Sequence, residues 1–171
     1  MRRLLILLVF AVALAAIGYT YVITHSFSAR AKPSALEAAI ARRLRGLATA
    51  PSVKALANPL AGTPLHIAEG RDHFADHCAV CHANDGSGKT PISEGLYPPA
   101  PDLRATDTQE LTDGELLYII KNGIRFTGMP GWGGSDAENW KLVLFIRHLP
   151  KITDEELELM REASSEPREG H

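Results

Sequence analysis

Cys78 and Cys81 stand three apart in the stretch "HCAVCHANDGSGKT", His82 follows at once, and the 171-residue chain has no other cysteine. Few structures satisfy that spacing. A structural zinc site needs four ligands, and Cys78, Cys81 and His82 leave one missing. A thioredoxin-like redox pair belongs in a βαβ setting, whereas this chain reads as helices and loops. A disulfide across so short a loop stabilises little, because loop-closure entropy grows with loop length. None of these uses the histidine.

Cys-x-x-Cys-His is the attachment signature of c-type haem. The two thiols add to the vinyl groups as thioethers, and the adjacent imidazole is then held beneath the ring to ligate iron. The chain is therefore expected to carry one covalent haem c, bound by Cys78 and Cys81, with His82 on the metal. For the sixth position the candidates are few, since the only methionines are Met1, Met129 and Met160. Met129 lies in "TGMPGWGG", where glycines let the backbone approach a flat ligand and Pro130 stiffens the loop. A thioether there raises the potential relative to two imidazoles; the competing role is a gap-filling core methionine. Among the histidines, His73 and His77 lead into the motif and cannot easily reach the opposite face of the ring. His66 begins the same segment, His148 ends a later one, and His25 and His171 fall outside the domain; most of these read as surface residues.

The N-terminus, Met1-Arg2-Arg3 followed by an uncharged run from Leu4 to Ile23, constrains the compartment. Twenty residues of helix rise about 30 Å, enough to cross the hydrocarbon core. Ala13-Leu14-Ala15 offers a signal-cleavage pattern, but the length of the run and the interfacial placement of Tyr19 and Tyr21 favour an uncleaved anchor. Under either reading the remainder is exported, and Arg2 and Arg3 favour a cytoplasmic N-terminus. The expected location is a bacterial inner membrane, crossed once, with the haem domain in the periplasm.

The net charge of −2 conceals a segregation. Residues 1–63 carry eight Lys or Arg against one acid, residues 64–150 seven against twelve, and residues 151–171 three against seven. Four segments follow: an anchor over 1–24, a juxtamembrane basic helix and linker over 25–63, the haem domain over 64–150 and an acidic tail helix over 151–171. In the second, Ser34-Ala35-Leu36-Glu37 has capping-box spacing, and Leu36, Ile40, Leu44 and Leu47 recur at helical spacing with Arg42, Arg43 and Arg45 mostly on the other side. That helix either rests on anionic headgroups or packs on the haem domain. "TAPSVKALANPLAGTP" reads as a linker crossing the domain surface. Thr63-Pro64 starts the helix whose Ile67, Gly70, Phe74 and Cys78 share a face. A breaker-rich loop runs from Gly86 to Gln109. Thr112 and Glu115 box a helix stopping at Asn122-Gly123, and Ser135 caps another that Pro150 ends. A last capping box, Thr153 to Glu156, opens the tail. The fold class is all-α.

From about Pro64 to Pro150 the chain resembles a mono-haem c-type cytochrome of the small class I-like fold, with long haem-wrapping loops. The phrases "HFADHCAVCHANDGSG", "LYPPAPDLR", "NGIRFTGMPGWG" and "VLFIRHLP" resemble bacterial membrane-anchored members. The resemblance implies thioether attachment at Cys78 and Cys81, His82 as proximal and Met129 as distal iron ligand. It implies that Gly70 and Phe74 pack against the C-terminal helix of Trp140, Leu142 and Phe145. It also implies that the Pro101 carbonyl accepts the proximal imidazole's proton, which orients the ring, with Leu103 against the haem. Trp132, Tyr97 and Arg104 are candidate propionate partners, or packing and surface residues.

Iron held by His and Met has no open site, so the expected role is one-electron transfer rather than catalysis. The expected partners are membrane redox proteins such as a terminal oxidase, a quinol-oxidising complex or a dehydrogenase, with no nucleic acid and no small-molecule substrate. Steering favours a basic docking face on the partner, against docking through the exposed haem edge alone. Two other readings stay open: a haem subunit of a larger membrane complex using the acidic tail as an assembly contact, and a gas sensor if Met129 is a weak ligand.

Overall fold

A computed structural model describes residues 2–25 and 28–165; Met1, Ser26, Phe27 and residues 166–171, with His171 and the end of the tail, lie outside them. No strand occurs among the described residues, and the all-α expectation holds.

The first helix, α1 (Arg2–His25), carries a long apolar run after its two arginines: its span from Arg2 to Thr24 has a mean hydropathy of 2.4 and none of it is buried. By length and composition it can cross a membrane. After a short connection, α2 (Ala35–Ala48) is capped by Ser34, which accepts from the Glu37 amide. The reciprocal half of the expected capping box is missing. The Glu37 carboxylate instead accepts a hydrogen bond from the Tyr97 hydroxyl at 2.5 Å. The linker does run across the domain, with one helical turn that periodicity could not reveal, α3 (Pro51–Lys54), packed on α7 (Asp113–Asn122). Asn58 pins it by donating to the Trp140 carbonyl at 2.9 Å.

The core forms where α4 (Pro64–His77) crosses α8 (Asp136–His148). Thr63 caps α4 and Pro64 occupies its first turn, where a missing N–H costs nothing. The crossing is close because residue 70 is glycine: a β-carbon there would lie 2.2 Å from the Lys141 carbonyl oxygen. One turn on, Phe74 meets Phe145 with ring centroids 5.2 Å apart at 58°, and both are sealed from solvent. Burying each such ring contributes about 2–3 kcal/mol. Leu116, Leu117 and Ile120 of α7 and Leu142, Val143 and Ile146 of α8 extend the same cluster.

Two polar side chains of the interior lock the loops to this frame. Arg147 of α8 donates to the Gln109 carbonyl at 2.7 Å, to the Leu111 carbonyl and to the Asp113 carboxylate. Gln109, at the end of the single turn α6 (Thr106–Gln109), donates to the carbonyls of Leu103 at 2.7 Å and Ile146 at 2.9 Å. The chain then turns through Leu149–Lys151 and doubles back as α9 (Asp154–Ser165), which lies on α4 and buries Met160 to 1% exposure.

Candidate haem site

The last turn of α4 runs into a single helical turn, α5 (Ala79–His82). The Cys78 carbonyl accepts from the His82 amide at 2.9 Å, so one turn carries all three side chains of the motif. The two thiols are free, both partly covered. Burial pushes the Cys78 thiol up to about 12, and the neighbouring Cys81 acts in the same sense. No group of three or more His, Cys, Asp or Glu converges as a metal cage among the described residues.

His82 is the informative residue. Its Nδ1 is the one buried side-chain polar atom without a hydrogen-bond partner among the described residues. Burial lowers the pKa of the imidazole, and the Pro101 carbonyl works against that. The carbonyl therefore faces the ring, close enough to favour a proton there but outside good hydrogen-bond geometry. An imidazole that gives one nitrogen to a metal must carry its proton on the other. The orphaned Nδ1 and its facing carbonyl fit that requirement, and with the paired thiols they fit a haem.

The segment after the motif folds over itself. Ala83 turns the chain with φ +60. The His82 carbonyl then accepts from the Gly88 amide at 2.8 Å, and the Gly86 carbonyl accepts from Leu103 at 2.8 Å. Thr90 donates its hydroxyl to the Cys81 carbonyl at 3.3 Å. Leu103, two residues after Pro101, is buried in the core cluster. Arg104 bridges the two limbs of this loop, donating to Asp102 at 2.9 Å and to Asp85 at 3.1 Å. The bond from Arg104 holds the Asp102 carboxyl below the usual range, and at Asp85 hydrogen bonds from Ser87, with Arg104, outweigh burial to the same end.

Met129 sits half-buried in a loop strapped to the end of α7. Its carbonyl accepts from the Ile124 amide at 3.1 Å, its amide donates to Thr127 Oγ1 at 3.1 Å, and the Trp132 amide donates to the Ile120 carbonyl at 3.0 Å. Gly123 makes this return possible: with φ +67, it lies where a β-carbon would be 2.6 Å from the Met129 carbonyl. The Trp132 indole meets the His77 ring edge-on at 5.5 Å, and His77 meets His73 in the same manner at 5.0 Å. Trp132 and His77 thus link the methionine loop to the residue preceding Cys78. Among the other propionate candidates, Tyr97 is engaged by Glu37 and Arg104 by its two aspartates.

Sequence reasoning set His77 aside as a surface residue and passed over Thr90, Asp85 and Gln109. Only the Asn84-Asp85-Gly86-Ser87-Gly88 turn signature hinted at the folded loop.

These features define a mono-haem c-type cytochrome domain, which binds haem c covalently and whose chemistry is electron transfer. Residues 66–146, from the first turn of α4 to the end of α8, match the family model described as cytochrome C oxidase, cbb3-type, subunit III.

Proposed function

We propose that this chain is a membrane-tethered electron carrier working in the periplasm, with Cys78 and Cys81 as the thioether attachments and His82 and Met129 as the axial ligands. The observation that carries the reading is the single turn presenting both thiols and His82, whose orphaned Nδ1 faces the Pro101 carbonyl. Haem c held this way supplies a one-electron ferric/ferrous couple. The protein's part is positional. With a haem bound, the nearby Pro101 carbonyl would take the Nδ1 proton and so fix the tautomer and orientation of His82. Leu103, Phe74 and Phe145 exclude water from the buried side. The Gly123 turn delivers Met129, and Trp132 closes the loop against His77. With His82 and Met129 both holding the iron there would be no open site for a substrate, which supports an electron carrier or subunit.

The test is the visible spectrum of the full-length holoprotein, oxidised, reduced, and reduced under carbon monoxide. The expected result is a low-spin ferrous spectrum unmoved by the gas, and a ferric methionine-to-iron band lost in Met129→Ala. Ready carbon monoxide binding by the wild type would overturn Met129 ligation and favour a gas-binding role.

A second reading is favoured by the description of the matched family, an oxidase subunit: the chain would pass electrons as a haem subunit inside a larger membrane complex. Stoichiometric recovery with other subunits from mild detergent supports that reading, and recovery as a monodisperse single chain supports the carrier.

A further inference from the structure

The helix α2 has an apolar face that no described residue covers. Leu36, Ile40, Leu44 and Leu47 fall within one stripe of the helix, and they are 72%, 51%, 60% and 73% exposed; no residue of α2 is buried. Four large aliphatic side chains in one row exceed the scattered apolar residues of an ordinary surface. Beside and behind that row, polar groups of α2 bond to the rest of the chain. Glu37 accepts from Tyr97 at 2.5 Å, Arg42 pairs with Asp107 at 3.3 Å, and the Gly46 carbonyl near the helix end accepts from the Lys54 ammonium at 2.5 Å. The C-cap Thr49 is buried at 6% exposure. Thus α2 is tied to the domain through Glu37 and Arg42, with its aliphatic row left exposed.

Two further observations say what meets that row. The segment 28–50 carries Arg30, Lys32, Arg42, Arg43 and Arg45 against the single acid Glu37, although the haem domain behind it is acidic. And α2 begins only ten residues after α1 ends, at most about 36 Å away even if the chain were fully extended. A soluble partner would have to find this face, whereas the bilayer that α1 crosses is already beside it. Basic residues flanking an aliphatic stripe match the anionic boundary of a bilayer: the stripe enters the headgroup and acyl boundary while the cations meet lipid phosphates.

We infer that α2 lies in the outer interface of the membrane with Leu36, Ile40, Leu44 and Leu47 inserted, and that its contacts through Glu37 and Arg42 hold the haem domain in a set orientation over the lipid. This deepens the tethered-carrier reading and rests on α1 being retained. The domain is then a mounted carrier, presenting a defined side to membrane partners, instead of a body swinging on a flexible leash.

The experiment uses full-length holoprotein, with haem kept ferrous and diamagnetic, in vesicles of phosphatidylcholine with or without phosphatidylglycerol. Single cysteines carrying a spin label are placed on the row (Ile40→Cys, Leu47→Cys) and off it (Ala38→Cys, Ala41→Cys); the haem-bonded cysteines do not label. The expected result is a severalfold higher ratio of oxygen to aqueous nickel-chelate accessibility at 40 and 47 than at 38 and 41, enhanced by the anionic lipid. Equal, aqueous values at all four positions in both vesicles overturn the inference and leave the row to a protein partner. Intact mass of the purified chain tests the anchor separately. If α1 proves cleaved, the mature chain is mixed with the same vesicles. Co-sedimentation that is lost in Leu44→Glu upholds α2 as a membrane contact on its own, and absence of co-sedimentation overturns it.

Discussion

Two amphipathic helices flank the haem domain, built on similar spacing and brought to opposite surroundings. In α2 the aliphatic row is between 51% and 73% exposed, while in α9 Met160 is 1% exposed against α4. Their charges are opposed as well: α2 carries three arginines and one glutamate, α9 five acids and one arginine. Periodicity tells that a helix has a partner; it does not tell whether the partner lies in the same chain. For α9 connectivity decides. It starts three residues after the turn that ends α8, and that turn sends it back over α4. For α2 the nearest neighbour along the chain is a membrane-length helix.

The comparison is tested most severely at α4, on which both α8 and α9 rest. In Gly70→Ala the new methyl would meet the Lys141 carbonyl oxygen at 2.2 Å and its carbon at 2.7 Å, both backbone atoms that cannot rotate aside. The helices must separate, at a cost on the order of 3 kcal/mol. Thermal unfolding of the holoprotein in detergent measures it, and protection of α9 amides should fall along with that of α8. A variant as stable as wild type would mean that the close crossing is not what holds this core.

Next in size is a direct exchange of the two helices' roles. Met160→Ala empties a fully enclosed site and should cost about 2–3 kcal/mol, whereas Ile40→Ala, on the uncovered row, should change stability in detergent by no more than about 0.5 kcal/mol. Denaturant midpoints of the two variants in one detergent decide it. If Met160→Ala is as silent as Ile40→Ala, α9 is an appendage and not part of the fold.

The same contrast explains what could be read in advance. The motif turn, α4 and α8 were legible because their signals are local: caps at Thr63 and Ser135, a proline in the first turn, an apolar face ending at Cys78. Two of the three four-residue turns, α3 and α6, were missed since one turn has no period. Gln109 and Arg147 were invisible for another reason, that their partners Ile146, Gln109 and Asp113 lie 34 to 38 positions away. The Trp132–His77 contact is of this kind too. Capping boxes were legible only as half-truths at Ser34 and Ser135, where Glu37 and Glu138 found other partners, Tyr97 and Lys141. The membership of Met160 in the core depends on which way the chain turns at Leu149–Lys151, and no pattern in the tail announces that.

The smallest effect expected is a pH dependence confined to α9. Glu156 accepts from His148 Nε2 at 2.9 Å, and from the amide and hydroxyl of Thr153 at 2.9 and 3.1 Å. Burial works to raise its pKa, but these hydrogen bonds and the proximity of His148 outweigh it and hold the carboxyl below its ordinary value of 4.5. A carboxyl depressed in the folded state stabilises fully above its unfolded pKa and loses that contribution as pH falls through the lower folded value. The docking of α9 should therefore weaken below about pH 4.5, and Glu156→Gln should remove part of that slope while costing about 1 kcal/mol at neutral pH. Stability measured by denaturant at about pH 6 and about pH 4 for wild type and Glu156→Gln checks this; equal slopes in the two would show that the His148–Glu156 contact does not fasten α9 to the domain.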